Sequence, residues 1–363
     1  MIQKVWIKDF RNINECVIEC NKTPLFIYGE NNQGKTNFLE SIFVLQTGTS
    51  PIQSPIQDMV AFGKKEALLG IDFLDDGKKQ RAYMTLTREG KKKIFLNNTK
   101  LGSIRSIKNR LSVEFISADI IRFFQENPEY RRKNLDQFCS AFFDDYPKEL
   151  KQLDTALRQK NAAFKKGMFD QVPLWNEKIT EIAVKIIEKR HKALDLIVSM
   201  LCKFTKEILG NELSDISITY ECKHLMPFST PKAYTLELSD YFKKNSEKEK
   251  ILGYSLAGPQ RDDIHIYINK KSCYSIYSRG INRTVALLLK GAQLSIIKEK
   301  KGYFPVLLLD EVFAELDCPK KKVLIPFLVE KAQCIFASIQ ESDSQFFNGV
   351  SLYSMTNGTL RNV

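Results

Sequence analysis

Residues Gly29, Glu30, Asn31, Asn32, Gln33, Gly34, Lys35 and Thr36 follow the pattern G-x-x-x-x-G-K-[ST], in which residue types and spacing together make a cradle for a polyphosphate. Gly29 and Gly34 let the backbone turn its N–H groups inward around a β-phosphate, at the positive end of the helix that follows. Lys35 carries a point charge to the β- and γ-phosphates, and the Thr36 hydroxyl is a ligand for Mg²⁺. Such a loop works only between a strand and a helix. The apolar run Leu25, Phe26, Ile27, Tyr28 precedes it, and residues 37–45, opening at Asn37, carry apolar side chains at helical spacing. The spacing therefore predicts strand, loop and helix, with residues 29–37 holding a nucleotide and Mg²⁺.

A second cluster of chemistry lies near the other end. Phe304, Pro305, Val306, Leu307, Leu308 and Leu309 run directly into the two carboxylates Asp310 and Glu311. A short, wholly apolar run fits a central parallel strand buried on both faces, whose carboxyl end is where ligands bind in open α/β sheets. Adjacent carboxylates there need a cation or donors to offset their desolvation. Asp310 is assigned to the Mg²⁺ shell, through water, and Glu311 to polarising the water that attacks a γ-phosphate, so Lys35 and Glu311 are the candidate catalytic pair. Glu315, Leu316 and Asp317 then cap a turn.

Before that strand, Ser278, Arg279, Gly280, Ile281, Asn282 and Arg283 lead into an apolar helical run from Val285 to Leu294. The string resembles the S-x-G-Q-x-R signature of ATP-binding cassette ATPases of chromosome maintenance. The resemblance implies that Ser278 and the Gly280 N–H bind the γ-phosphate of ATP held by a second protomer. A serine N-cap is the plainer meaning of the same residues.

Taken together the chain resembles the RecF family of bacterial recombination mediators, nearly end to end. The matching stretches are Phe10-Arg11-Asn12, the run from Asn32 to Glu40, Pro128-x-x-Arg131-Arg132-x-x-Leu135-Asp136, the run from Leu157 to Asn161, Gly258-Pro259-Gln260-Arg261-Asp262-Asp263, and the run from Pro305 to Asp317. The chain departs from the family's pattern at Ile281, usually glutamine, at Gln260, usually histidine, and at Gly48-Thr49-Ser50-Pro51-Ile52, where Gly-x-Ser-Phe-Arg is usual and the arginine is missing. Ser117-Ala118-Asp119 stands for Pro-Glu-Asp, so no Q-loop is assigned. The resemblance implies an α/β fold: a P-loop ATPase head of the ATP-binding cassette type, built from both ends of the chain with a mainly helical inserted arm. It further implies an ATP-driven homodimer on double-stranded or gapped DNA, slow hydrolysis, help in loading the recombinase alongside RecR and RecO, and a cytoplasmic, nucleoid-associated location.

Composition agrees with this. The net charge is +12, and between Gly77 and Arg110 there are eleven Lys or Arg against one acid, Glu89. A stripe of that density on hairpins fits contact with phosphate backbones, for which Lys78, Lys79, Arg81, Lys91, Lys92 and Lys93 are the candidates. A solvated face is the plainer alternative. The eight cysteines are scattered without a C-x-x-C and the three histidines stand apart, which argues for reduced thiols and against zinc. No apolar run approaches the ~18 residues of a membrane span, and no signal sequence is expected.

These motifs dictate the organisation. Residues 1–120 alternate strand-like runs (4–10, 15–20, 69–74, 81–87, 113–117) around the phosphate-loop helix and form a first lobe. Residues 121–255 form a helical arm, in which Pro173 to a stop at Gly210 keeps a three-four apolar spacing broken once, at Arg190. That is a helix of about 36 residues, roughly 50 Å long. It is far too short for the coiled coil of SMC or zinc-hook proteins. Residues 256–363 form the second lobe. Two other readings use the same residues: a nucleotide-gated scaffold with negligible ATPase activity, motivated by Ile281, and a transporter-type ATPase subunit, disfavoured by the wide separation of the motifs.

Overall fold

The computed structural model describes residues 1–21, 23–125, 127–209, 215–273, 278–314 and 316–363; the expected helix stop Gly210 and Glu315 lie outside them. The chain divides into two compact units, 1–120 with 303–363, and 121–302.

In the first unit the period-two burial of the N-terminal strands decides the layering. Val5 and Ile7, then Leu69, Ile71 and Phe73, then Ala82, Met84 and Leu86 are buried, while Trp6, Asp72, Arg81 and Tyr83 alternate with them. These strands make an antiparallel sheet in the order Ile13–Glu19, Ile2–Phe10, Glu66–Asp75, Lys78–Thr87, Lys92–Leu96, Thr99–Leu101. The second sheet runs Thr359–Asn362, Ser351–Thr356, Leu25–Tyr28, Cys334–Ser338, Val306–Asp310, Val113–Ser117, parallel except at the Thr359–Asn362 edge. Helix Lys35–Thr47 contributes Phe38, Leu39, Ile42 and Leu45 to one core shared with both sheets.

Register then delivers the chemistry. Ala337 pairs with both Ile27 and Asp310, and Asp310 pairs with Ser117. The phosphate loop and the two carboxylates therefore leave the same end of the sheet, one strand apart. The wholly buried strand Val306–Asp310 has a parallel neighbour on each side, Cys334–Ser338 and the edge strand Val113–Ser117, as its apolar composition fits.

The second unit is mainly helical, with a three-stranded antiparallel sheet in the order Lys271–Ser272, Asp263–Ile268, Ile216–Glu221. Its spine is helix Val172–Leu209, 38 residues, with Ile179, Ile182, Ile186, Leu194, Ile197, Leu201 and Phe204 buried. The boundary expected at 255 is not where the units divide. Asp263–Ile268 pairs along its whole length with Ile216–Glu221, and helix Arg279–Lys301 packs on Val172–Leu209, so residues 256–302 belong with the arm rather than with the carboxylate strand. Among the described residues no helix is long and apolar enough to cross a membrane.

Candidate nucleotide-binding site

The loop 29–34 stands between strand Leu25–Tyr28 and helix Lys35–Thr47, and its backbone explains its sequence. Gly34 has φ +113°, and a Cβ there would lie 2.7 Å from Asn12 Oδ1; at Gly29 it would lie 2.4 Å from the Met355 carbonyl oxygen. Only glycine fits either position. The Lys35 ammonium, 4 % exposed, donates to the carbonyls of Gly29 and Glu30, both at 2.8 Å, and lies 3.7 Å from Glu311 Oε1. Burial holds its pKa below the ordinary lysine value, opposed by the charges of Glu311 and Asp310. Around the loop, Asn31, Asn32, Gly34, Lys35, Thr36, Asn37 and Glu311 line a cavity of about 210 Å³.

Thr36 Oγ1 donates to Asp310, at 3.0 Å from Oδ1 and 2.9 Å from Oδ2. Burial raises the Asp310 pKa to about 6; the Thr36 hydroxyl and Lys35 pull it down, and the charges of Glu311 and Asp119 push it up. A buried carboxylate facing a hydroxyl, with its charged form disfavoured, is a donor set that fits a hard divalent cation such as Mg²⁺. Glu311 has φ +53°, uncommon for a residue with a side chain, and its N–H donates to Ala337 O at 2.9 Å. The chain thus bends sharply after Asp310, leaving the first carboxylate buried and the second part-exposed beside Lys35. Strain of this kind, costing about 1–3 kcal/mol, concentrates at functional sites.

The loop 29–36, Asp310 and Glu311 are therefore brought together. Ser278 and Gly280 stand in the second unit, where Ser278 is the N-cap of helix Arg279–Lys301 and its Oγ accepts from Ile281 N at 3.4 Å. All six basic candidates are exposed, and three of them also have partners within the protein. Arg81 is held in a fork by Asp72 (2.7 and 2.9 Å), Lys91 pairs with Glu89 at 2.6 Å, and Lys92 donates to Gly48 O at 2.8 Å. Lys78, Lys79 and Lys93 are exposed, and strand alternation sends Lys79 and Lys93 away from the core.

Several residues escaped the motif reading. Arg11 clamps the buried Glu40 of the phosphate-loop helix through Nε (3.0 Å) and Nη2 (2.8 Å), and Ser50 Oγ adds a third bond to Glu40 at 2.6 Å. Asp119 sits just beyond Ser117, the register partner of Asp310, in the segment where no Q-loop could be assigned. Asn12, Asn357 and Gly358 also reach the loop. Arg11, Asn12, Glu40 and Asp119 stood in strings quoted from the sequence without a role, whereas Asn357 and Gly358 had no signal there.

A family model for the RecF/RecN/SMC N terminal domain matches residues 1–360. A DNA replication and repair protein RecF of Clostridium botulinum (strain 657 / Type Ba4) is 30% identical over 368 residues, covering 100% of both chains. This chain belongs to the RecF family. The DNA replication and repair protein RecF of Halothermothrix orenii is 28% identical over 99% of this chain and 98% of its own. A solved structure of the recombination mediator protein RecF-ATPrS in the RecFOR pathway has a TM-score of 0.86 at 27% identity, covering 100% of this chain and 98% of that one. An Smc head domain with an extended coiled coil, derived from Pyrococcus furiosus, shares the fold, with a TM-score of 0.59 at 17% identity. The ATPase-head fold expected from the motifs is the one observed.

Two of the RecF strings meet within the second unit. Arg190, 2 % exposed, forks onto Asp136, donates to Tyr220 and to Pro259 O, and contacts Tyr146 OH. Beside it Arg131 forks onto Asp263, both bonds at 2.7 Å, and Arg132 donates to Asp262 O at 2.6 Å. The break at Arg190 in the long helix's apolar stripe is thus a buried hub. Arg131-Arg132-x-x-Leu135-Asp136 and Gly258-Pro259-Gln260-Arg261-Asp262-Asp263 hold the second unit together around it.

Proposed function

We propose that this chain is an ATP-dependent DNA-binding protein of RecF type that acts in recombinational repair and replication-fork maintenance. The observation that carries the reading is the Thr36–Asp310 pairing beside the Lys35 loop, at the carboxyl ends of a parallel sheet. Loop N–H groups and Lys35 bind the β- and γ-phosphates, and Glu311 orients and deprotonates the attacking water. Mg²⁺, held by Thr36 and through water by Asp310, would neutralise phosphate charge. The solved RecF-ATP and RecF-ATPrS structures support ATP as the ligand, and their place in the RecFOR pathway supports RecR and RecO as partners.

In this reading ATP bridges two copies, the Lys35 site of one facing Ser278 and Gly280 of the other. Capping Ile281 uses one lone pair of the Ser278 hydroxyl and leaves its proton to donate to a γ-phosphate. The dimer closes on duplex or gapped DNA near sites where the recombinase is loaded, and slow hydrolysis releases it. Ile281, which offers no polar group where glutamine is usual, also favours a second reading, a scaffold that binds ATP and scarcely hydrolyses it. Turnover with and without DNA separates the two.

Light scattering with ATP, ADP or no nucleotide tests the dimer. The wild-type chain is expected to double in mass with ATP only. Ser278→Arg is expected to keep near-normal ATP affinity, since Lys35 and Thr36 are intact, yet to stay monomeric. If Ser278→Arg dimerises with ATP as the wild type does, Ser278 is a helix cap and nothing more.

A further inference from the structure

A phosphate cradle depends on which way its peptides face. In a planar trans peptide the C=O and the following N–H point in opposite directions, so an N–H aimed at phosphate requires the preceding carbonyl to face outward and find a donor there. Two such outward carbonyls are anchored here. Gln33 O accepts from Gly358 N at 2.8 Å, and Asn32 O accepts from Asn12 Nδ2 at 3.2 Å. The Gln33 side chain is fixed as well: its Oε1 accepts from Asn357 N at 2.7 Å. Asn12 is itself held, accepting from Asn37 Nδ2 at 2.8 Å.

Asn357 and Gly358, φ 47° and 74°, form the two-residue turn between strands Ser351–Thr356 and Thr359–Asn362. Paired positive φ values are those of a tight hairpin turn, for which Asn-Gly is the preferred sequence. Strand Ser351–Thr356 lies parallel to Leu25–Tyr28, the strand that feeds the loop, so the turn overhangs residues 29–34. The fit is close: a Cβ on Gly358 would lie 2.1 Å from Asn12 O.

We propose that the Asn357-Gly358 turn and Asn12 form a collar that positions the phosphate loop, fixing the 32–33 and 33–34 peptides so that the N–H groups of Gln33 and Gly34 face the β-phosphate. The collar rests on the nucleotide reading and deepens it. It makes the last hairpin of the chain part of the nucleotide site, although Asn357 is 324 positions from Gln33. Its members touch loop backbone rather than nucleotide, so they are positioning residues.

The test is nucleotide affinity by competition with a fluorescent analogue, using ATP, ADP and AMP. Gly358→Ala, which drives a methyl into Asn12 O, is expected to weaken ATP and ADP about tenfold and to leave AMP, which lacks a β-phosphate, unchanged. If Gly358→Ala does not fold, Gln33→Met removes the side-chain amide whose Oε1 accepts from Asn357 N and is expected to weaken ATP and ADP severalfold with the same indifference to AMP. Unchanged ATP and ADP affinity in a folded variant, or equal losses for all three nucleotides, would overturn the collar. A wild-type chain without ATP affinity would overturn the nucleotide reading beneath it.

Discussion

Lys35→Met is expected to weaken ATP binding roughly a hundredfold and with it to abolish ATP-dependent DNA binding. The lysine ammonium is the one buried cation among the residues lining the loop cavity, and losing a charge-assisted bond worth about 3 kcal/mol is about two decades in affinity. Glu311→Gln should behave in the opposite way. It leaves the loop, Lys35 and the Thr36–Asp310 pair intact, so ATP still binds, but the group that accepts the water's proton is gone and the DNA-bound state lasts longer. Filter binding of ATP and dissociation rates from DNA measure the two. Equal loss of ATP affinity in both variants would contradict the roles assigned here.

Asp310→Asn is expected to make the nucleotide-free protein more stable and the site useless. The carboxyl has a folded pKa of about 6 against an ordinary 3.8, because burial disfavours its charge. A raised acid pKa means the folded state holds the proton more tightly. The stability from this group is therefore fully present below about pH 3.8 and lost as pH rises through about 6, a difference of about 3 kcal/mol. An amide never ionises, so urea denaturation should find the variant more stable at pH 7.5 and the gap closing toward pH 4.5, while Mg²⁺-dependent ATP binding is lost. In the wild type, Mg²⁺-dependent ATP binding should weaken as pH falls below 6. A variant that is less stable at pH 7.5 would show that Asp310 is a structural hydrogen-bond partner rather than a carboxylate held for a cation.

The parts of this protein that were legible in its sequence are those whose partners lie within a few residues. Gly29 to Thr36, the apolar run into Asp310 and the three-four stripe of Val172–Leu209 each carry their meaning locally. What was not legible depends on distant pairing. The boundary between the units moved from 255 to 302 because the ladder between Ile216–Glu221 and Asp263–Ile268 is non-local. Arg190 reads in sequence as an interruption, since nothing nearby announces that Asp136, Tyr146, Tyr220 and Pro259 converge on it. Composition also does not say which charge of the basic stripe already has a partner within the protein. Lys92 turns to the helix C-cap at Gly48 and Arg81 to Asp72, whereas Lys79 and Lys93 point away from the core.

The central claim, that nucleotide state controls a grip on DNA, is tested most directly by the anisotropy of a labelled gapped duplex titrated with the protein. Three conditions are compared across a range of salt: a non-hydrolysable ATP analogue with Mg²⁺, ADP with Mg²⁺, and no nucleotide. The account predicts tight binding with the triphosphate alone, and a slope of log affinity against log salt that falls by up to about 2.7 when Lys78, Lys79 and Lys93 are all replaced by Ala, at 0.9 per lost phosphate contact. The same affinity in all three nucleotide states would contradict it.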